Sequence, residues 1–96
     1  MNQIHDTMTV EELRAEYDRV NADYETAERA RARSELRVKN LEYRAVRADP
    51  QEFEALADEI DLERERLMKR AYKVAGLCWR RGQISFALDR AQRYDP

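Results

Sequence analysis

The residues of this chain that could do covalent or metal chemistry are few and far apart. His5 is the only histidine and Cys78 the only cysteine, so these residue types form no zinc-ligand spacing. Helical spacing would place Glu54, Asp58 and Asp61 on one face, but no Glu-x-x-His motif accompanies them, as a di-iron site in a helical bundle requires. We therefore predict no metal site, no cofactor and no catalytic residue.

Cys78 is the one candidate nucleophile. It falls on an apolar position of a helical pattern, so we expect it to pack in the core as a small hydrophobic residue. The alternative is a reactive thiolate whose charge is stabilised by Arg80 and Arg81. The two glycines, Gly76 and Gly82, match no glycine-rich phosphate-binding loop. These residues favour a protein that is not an enzyme.

Basic residues form a second group with binding chemistry. The candidate nucleic-acid band consists of Arg33, Arg37, Arg66, Lys69, Arg70 and Lys73. In a helical hairpin the two stretches that hold them lie side by side, so their charges could meet phosphates, as in the helical-hairpin dimers that bind RNA. The net charge is only -2 and acidic blocks flank the band. A solvated charged face is therefore the competing interpretation.

A third group combines aromatic and basic residues in the C-terminal third of the chain. The candidate partner-binding residues are Tyr72, Trp79, Arg80, Arg81 and Phe86. Trp, Tyr and Arg are the residue types enriched at binding hot spots. The alternative for Trp79 is a place in the core, packed against Val20 and a third helix.

Long helices must position all of these groups. In the first half of the chain, apolar or small residues recur at alternating steps of three and four, the spacing of a helix that packs along another helix. Only Arg31 and Ser34 interrupt this seam. A capping box that begins at Thr9 marks the start of the helix. We predict a flexible tail at 1–8 and helix 1 at 9–48.

Arg31, inside the seam, has two interpretations. It could form a polar layer with Glu63 or Glu65, which would fix the register of the helices at some cost in stability. In length and helical architecture the chain is also similar to the all-helical chorismate mutases, although no motif aligns. That resemblance implies an enzyme in which Arg31 binds a dicarboxylate inside a dimeric bundle.

The Asp49-Pro50 step marks the turn between helices. A residue before proline is disfavoured in a helix, whereas Asp49 can cap a new helix with Pro50 at its first position. We predict helix 2 at 50–81, with the apolar positions Phe53, Leu56, Ala57, Ile60, Leu67, Ala71, Val74 and Cys78. Gly82 is typical of a helix C-terminus. We expect a break there and a short third helix at 83–93, the alternative being a bent continuation of helix 2.

Two long helices joined by a short turn pack antiparallel. We therefore predict an all-α fold in a single domain, 1–96: a coiled-coil-like antiparallel helical hairpin with a short third C-terminal helix. One seam between two helices leaves apolar residues such as Leu36 and Tyr43 uncovered. Either the third helix or a second copy of the chain covers them, and we expect a homodimeric bundle.

The function must be inferred mainly from what is missing. No apolar run approaches the ~18 residues of a membrane span, no secretion signal is apparent, and one cysteine cannot form an internal disulfide. We expect a cytoplasmic, non-catalytic protein–protein interaction module that binds another protein as an adaptor, or as an inhibitor that occludes its surface. Small chains of this kind are often encoded by phages. The alternative function is an RNA-binding helical-hairpin dimer that uses the basic band.

Overall fold

The computed structural model describes residues 7–94 of the chain. Two α-helices account for nearly all of them, α1 at Val10–Val46 and α2 at Pro50–Tyr94, and no strand occurs within this range. Residues 47–49 form the turn between the helices. The prediction of an all-α helical hairpin is confirmed.

The start of α1 is the predicted capping box. Thr9 Oγ1 accepts a hydrogen bond from the Glu12 backbone N–H at 3.1 Å, and Glu12 Oε1 accepts one from the Thr9 backbone N–H at 3.0 Å. Met8 packs against the core cluster next to this cap. Apart from residues 7 and 8, the tail predicted at 1–8, with His5, lies outside the described residues.

The start of α2 is set by Asp49. Its Oδ1 accepts hydrogen bonds from the backbone N–H groups of Gln51 at 3.0 Å and Glu52 at 2.9 Å. Pro50 stands at the first helical position, where no N–H is needed. α1 ends at Val46, two residues before the predicted boundary, because the next two residues turn the chain through hydrogen bonds to carbonyls three residues back.

The third helix predicted at 83–93 does not form as a separate element. α2 continues through Gly82 to Tyr94, and Gly82 does not adopt the positive φ of a glycine helix cap. Ile84 and Leu88 remain in the core cluster beyond this point. Their burial outweighs the roughly 1 kcal/mol that a glycine costs inside a helix.

The buried face of α2 agrees with the predicted one at Leu56, Ile60, Leu67 and Val74 and differs from it at other positions. Its positions follow steps of four and three, and they are Leu56, Ile60, Glu63, Leu67, Arg70, Val74, Leu77, Arg81, Ile84, Leu88 and Ala91. Phe53, Ala71 and Cys78, predicted as apolar core positions, are exposed. The prediction passed over Arg70 and Arg81, but a long arginine can cover apolar surface with its stem while its guanidinium reaches a polar acceptor.

The chain forms two compact units, and in each a segment of α1 packs antiparallel to a segment of α2. The first unit comprises Met1–Thr26 and Ala75–Pro96. Its buried cluster consists of Leu13, Val20 and Ile84. The second unit is Ala27–Val74. Its buried cluster consists of Ala45, Leu56 and Ile60.

Candidate functional site

Two aromatic side chains stand exposed on α2 in the first unit. Trp79 is 69 % exposed and Phe86 is 65 % exposed. They are seven residues apart, which is two helical turns, so they lie on the same face of the helix. The opposite face carries Leu77 and Ile84, which belong to the core. The alternative that placed Trp79 in the core is therefore wrong.

Small residues alternate with these aromatic side chains along the same face. Ala75 and Gly82 are both exposed, and with Trp79 and Phe86 they repeat at steps of four, three and four. We call these four residues the outer stripe of α2. A Cβ added at Gly82 would meet no atom within 4 Å. The stripe is thus an open row of alternating small and large residues.

The two arginines after Trp79 make contacts within the first unit. Arg81 Nη1 donates to Asn21 Oδ1 at 2.8 Å, and its guanidinium lies 4.1 Å from the centre of the Tyr24 ring. Arg80 Nη2 lies 3.5 Å from Glu16 Oε1. Arg81 therefore fastens α2 to α1, and Arg80 also reaches towards α1 while half of its side chain stays in solvent.

Tyr72, the remaining partner-binding candidate, belongs to the second unit. It is 73 % exposed and precedes Trp79 by seven residues in the sequence. In the same unit Tyr43, on α1, is 61 % exposed, and the guanidinium of Arg47 covers its ring at 3.6 Å from the centre. Tyr72 and Tyr43 show that exposed aromatic side chains occur on both helices.

A buried polar layer in the second unit was not predicted as such. Glu63 is 5 % exposed and Ser34 is fully buried, and Ser34 Oγ donates to Glu63 Oε1 at 3.2 Å. Arg37 Nε donates to the same oxygen at 3.0 Å, and Arg66 Nη1 donates to Glu63 Oε2 at 3.2 Å. The sequence does contain a signal for this layer. Ser34 interrupts the apolar spacing of α1, and Glu63 stands between the apolar positions Ile60 and Leu67 of α2.

The charge of Glu63 is decided by these neighbours. Burial by itself raises the pKa of the carboxyl group, but the Ser34 hydroxyl and the charges of Arg37 and Arg66 together hold that pKa below its ordinary value. Every buried side-chain nitrogen or oxygen in the described part of the chain has a hydrogen-bond partner. The layer is therefore a fully paired ionic network at neutral pH.

The prediction that Arg31 forms a layer with Glu63 or Glu65 is wrong. Arg31 instead binds two carboxylates of its own helix, Glu28 Oε1 at 2.6 Å and Glu35 Oε2 at 2.7 Å. These residues lie one turn before and one turn after Arg31, where an arginine reaches without crossing the seam. Its charge is therefore paired within α1 and not across the seam.

The candidate nucleic-acid band is divided by the buried layer. Arg70 points inward and donates to Ser34 Oγ and to the backbone carbonyl of Ala30, while Arg37 and Arg66 bind Glu63. Lys69 lies 3.5 Å from Glu65. Arg33 and Lys73 are exposed and form no ion pair with any residue between 7 and 94. The structure therefore presents these two residues as the band's unneutralised cations.

A surface groove of about 300 Å³ adjoins the buried layer. Its lining residues are Arg37, Asn40, Leu41, Arg44, Glu59, Leu62, Glu63 and Arg66. These side chains bring charged groups together but no nucleophile paired with a base.

Within residues 7–94 no group of three or more His, Cys, Asp or Glu side chains could hold a metal ion. Neither helix contains, over the same residues, a stretch long and apolar enough to cross a membrane.

Comparisons with protein-family models, with curated proteins and with solved structures find no match to this chain. Its function must therefore be argued from the surfaces described above.

Proposed function

We propose that this chain is a non-catalytic protein–protein interaction module that binds a partner protein through the outer stripe of α2. The observation that carries the proposal is the exposure of Trp79 and Phe86 on one face of a helix whose opposite face forms the core. Exposed apolar clusters mark interaction sites, and tryptophan is enriched at binding hot spots.

Because the outer stripe lies on a helix, its shape suggests how a partner protein would bind it. A helix that presents aromatic side chains two turns apart fits an apolar groove on its partner. Arg81 supports this surface by holding α2 against α1. A module of this kind acts as an adaptor, or as an inhibitor where the covered groove is the partner's working surface.

The setting that we propose is the cytoplasm, where reducing conditions keep the exposed thiol of Cys78 unpaired. The specific form that we favour is an inhibitor encoded by a phage or another mobile element. We also expect the chain to form a homodimer.

The test is capture of a partner by the full chain from a nuclease-treated native lysate. Trp79→Ala should reduce the captured partner at least about tenfold, because truncating a hot-spot tryptophan costs about 2 kcal/mol or more of binding free energy. Tyr43→Ala is the matched control, since Tyr43 is equally exposed but lies on α1. Equal capture by the wild-type chain and by Trp79→Ala would disprove the proposed surface.

RNA binding is the second candidate, and the exposed cations Arg33 and Lys73 favour it. In that case nuclease treatment should abolish capture, and binding of the wild-type chain to RNA should weaken steeply as salt rises. The double change Arg33→Glu and Lys73→Glu should remove this binding. Retention of RNA by this charge-reversed variant would exclude the basic band as its site.

A further inference from the structure

The alternation of large and small residues in the outer stripe has no explanation within the chain itself. Gly82 weakens the helix, yet it has no positive φ, and a Cβ in its place would meet no atom within 4 Å. Neither backbone conformation nor internal packing therefore requires a glycine here. A glycine at this position does permit the close approach of another chain.

We propose that a second copy of this chain occupies the outer stripe, with the two α2 segments antiparallel about a two-fold axis. The inference rests on the proposed function, because it names the chain that fills the same surface. Trp79 of one copy packs over Gly82 of the other, and Phe86 packs over Ala75. The two-fold axis repeats each contact, so the interface is isologous and closes as a dimer.

The sizes of the side chains select this antiparallel alignment. In a parallel pair, Trp79 would face Trp79 of the second copy, and Gly82 would face Gly82. The glycine and alanine layers would then be hollow, and a hollow layer loses the dispersion contacts that close packing provides. The antiparallel pair places every large side chain against a small one.

The area available places the dimer among weak associations. Four aromatic side chains, each about two-thirds exposed in the single chain, would lose on the order of 500 Å² of accessible surface. The surfaces that they cover bring the total to about 1,000 Å², just below the size of specific stable interfaces. We therefore expect a dissociation constant in the micromolar range.

The test is analytical ultracentrifugation of the full chain from about 1 µM to about 500 µM, a range that brackets a micromolar dissociation constant. The wild-type chain should show a monomer–dimer equilibrium. Trp79→Ala and Gly82→Leu should each raise the dissociation constant at least tenfold. Gly82→Leu should also raise the melting temperature of the monomer, because leucine favours a helix over glycine and meets no neighbour there.

The opposite effects of Gly82→Leu on fold and dimer separate lost association from misfolding. Gly76→Leu is the matched control, since Gly76 is also exposed and open within 4 Å but lies off the stripe, and it should leave the dimer unchanged. A chain that stays monomeric throughout, or a dimer indifferent to Trp79→Ala and Gly82→Leu, would overturn the inference. Both outcomes leave the proposed function intact if Trp79 still governs capture of another protein.

Discussion

Glu63 is a carboxylate buried in the seam between the two helices, and its neighbours offset the cost of burying its charge. Burying a charged group is costly unless it is paired and hydrogen-bonded. Here Ser34, Arg37 and Arg66 all donate to it. Because Arg37 and Arg66 remain about half exposed, they can solvate their own charge while neutralising that of Glu63.

We predict that Glu63→Leu lowers the free energy of unfolding by about 1–3 kcal/mol, because the buried Ser34 hydroxyl loses its acceptor and two arginines lose their partner. Glu63→Gln should cost less, since it keeps an acceptor oxygen. Urea unfolding followed by circular dichroism measures both changes. Glu65→Gln, on an exposed carboxylate of the same helix, should stay within about 0.5 kcal/mol of the wild-type chain.

If Glu63→Leu proved as stable as the wild-type chain, the polar layer would make no net contribution to stability. Apolar replacement of a buried ion pair has that result in some proteins. The contribution of the layer would then lie in fixing the register of the two helices.

Cys78 and Trp79 show that the apolar character of a residue does not by itself predict whether it is buried. Both were open to a core position from their apolar character, and the structure exposes both. A shift of one residue along a helix turns a side chain by about 100°, which follows from 3.6 residues per turn. Leu77 takes the buried position, so its two successors face away from the core.

At the scale of the elements, α2 depends on its cap and on continuous packing rather than on helix propensity alone. It begins at a strong signal, Asp49-Pro50, and passes Gly82, a residue that often ends helices. The cap satisfies N–H groups that have no partner within the helix. Core contacts at Ile84 then hold the segment after the glycine.

We predict that Asp49→Ala lowers the free energy of unfolding by about 1 kcal/mol, because two backbone N–H groups lose their acceptor. The measurement is chemical denaturation at neutral pH. Asp58→Ala, on an exposed acid deeper in α2, is the control and should change stability little. Equal stability of the two variants would mean that water caps α2 as well as Asp49 does.

At the scale of the whole molecule, glutamates in several parts of the chain have lowered pKa values, so the stability of the fold depends on pH. The pKa of Glu12 is lowered by hydrogen bonds from Thr9, and those of Glu28 and Glu35 are lowered by hydrogen bonds from Arg31. The pKa of Glu63 is lowered as well, despite its burial. The ordinary value of a glutamate pKa is about 4.5, so the unfolded chain takes up protons first as the pH falls.

We therefore predict that stability is fully present above about pH 5 and declines as the pH falls below the ordinary glutamate pKa, because proton uptake then favours the unfolded state. Urea unfolding at about pH 7, 5 and 3 measures this. Glu63→Gln should flatten the decline, since the buried carboxylate is least screened by solvent. A constant free energy of unfolding from pH 7 to pH 3 would contradict the prediction.

The sequence by itself determined the helical class, the position of the turn and both helix caps. These depend on local chemistry, as at Thr9 and Asp49, where side-chain oxygens bond to backbone groups two or three residues away. Heptad periodicity also sufficed to predict two helices that pack on each other, because it extends over many turns.

Only the tertiary structure decided that Arg70 and Arg81 belong to the buried face of α2, and which residues meet across the seam. Arginines can occupy seam positions when an acceptor stands opposite, as Ala30 and Ser34 do for Arg70, and no local pattern reveals that acceptor. The continuity of α2 through Gly82 was decided in the same way, by burial of Ile84 against α1. The exposure of Trp79, on which the proposed binding surface depends, is a consequence of that packing.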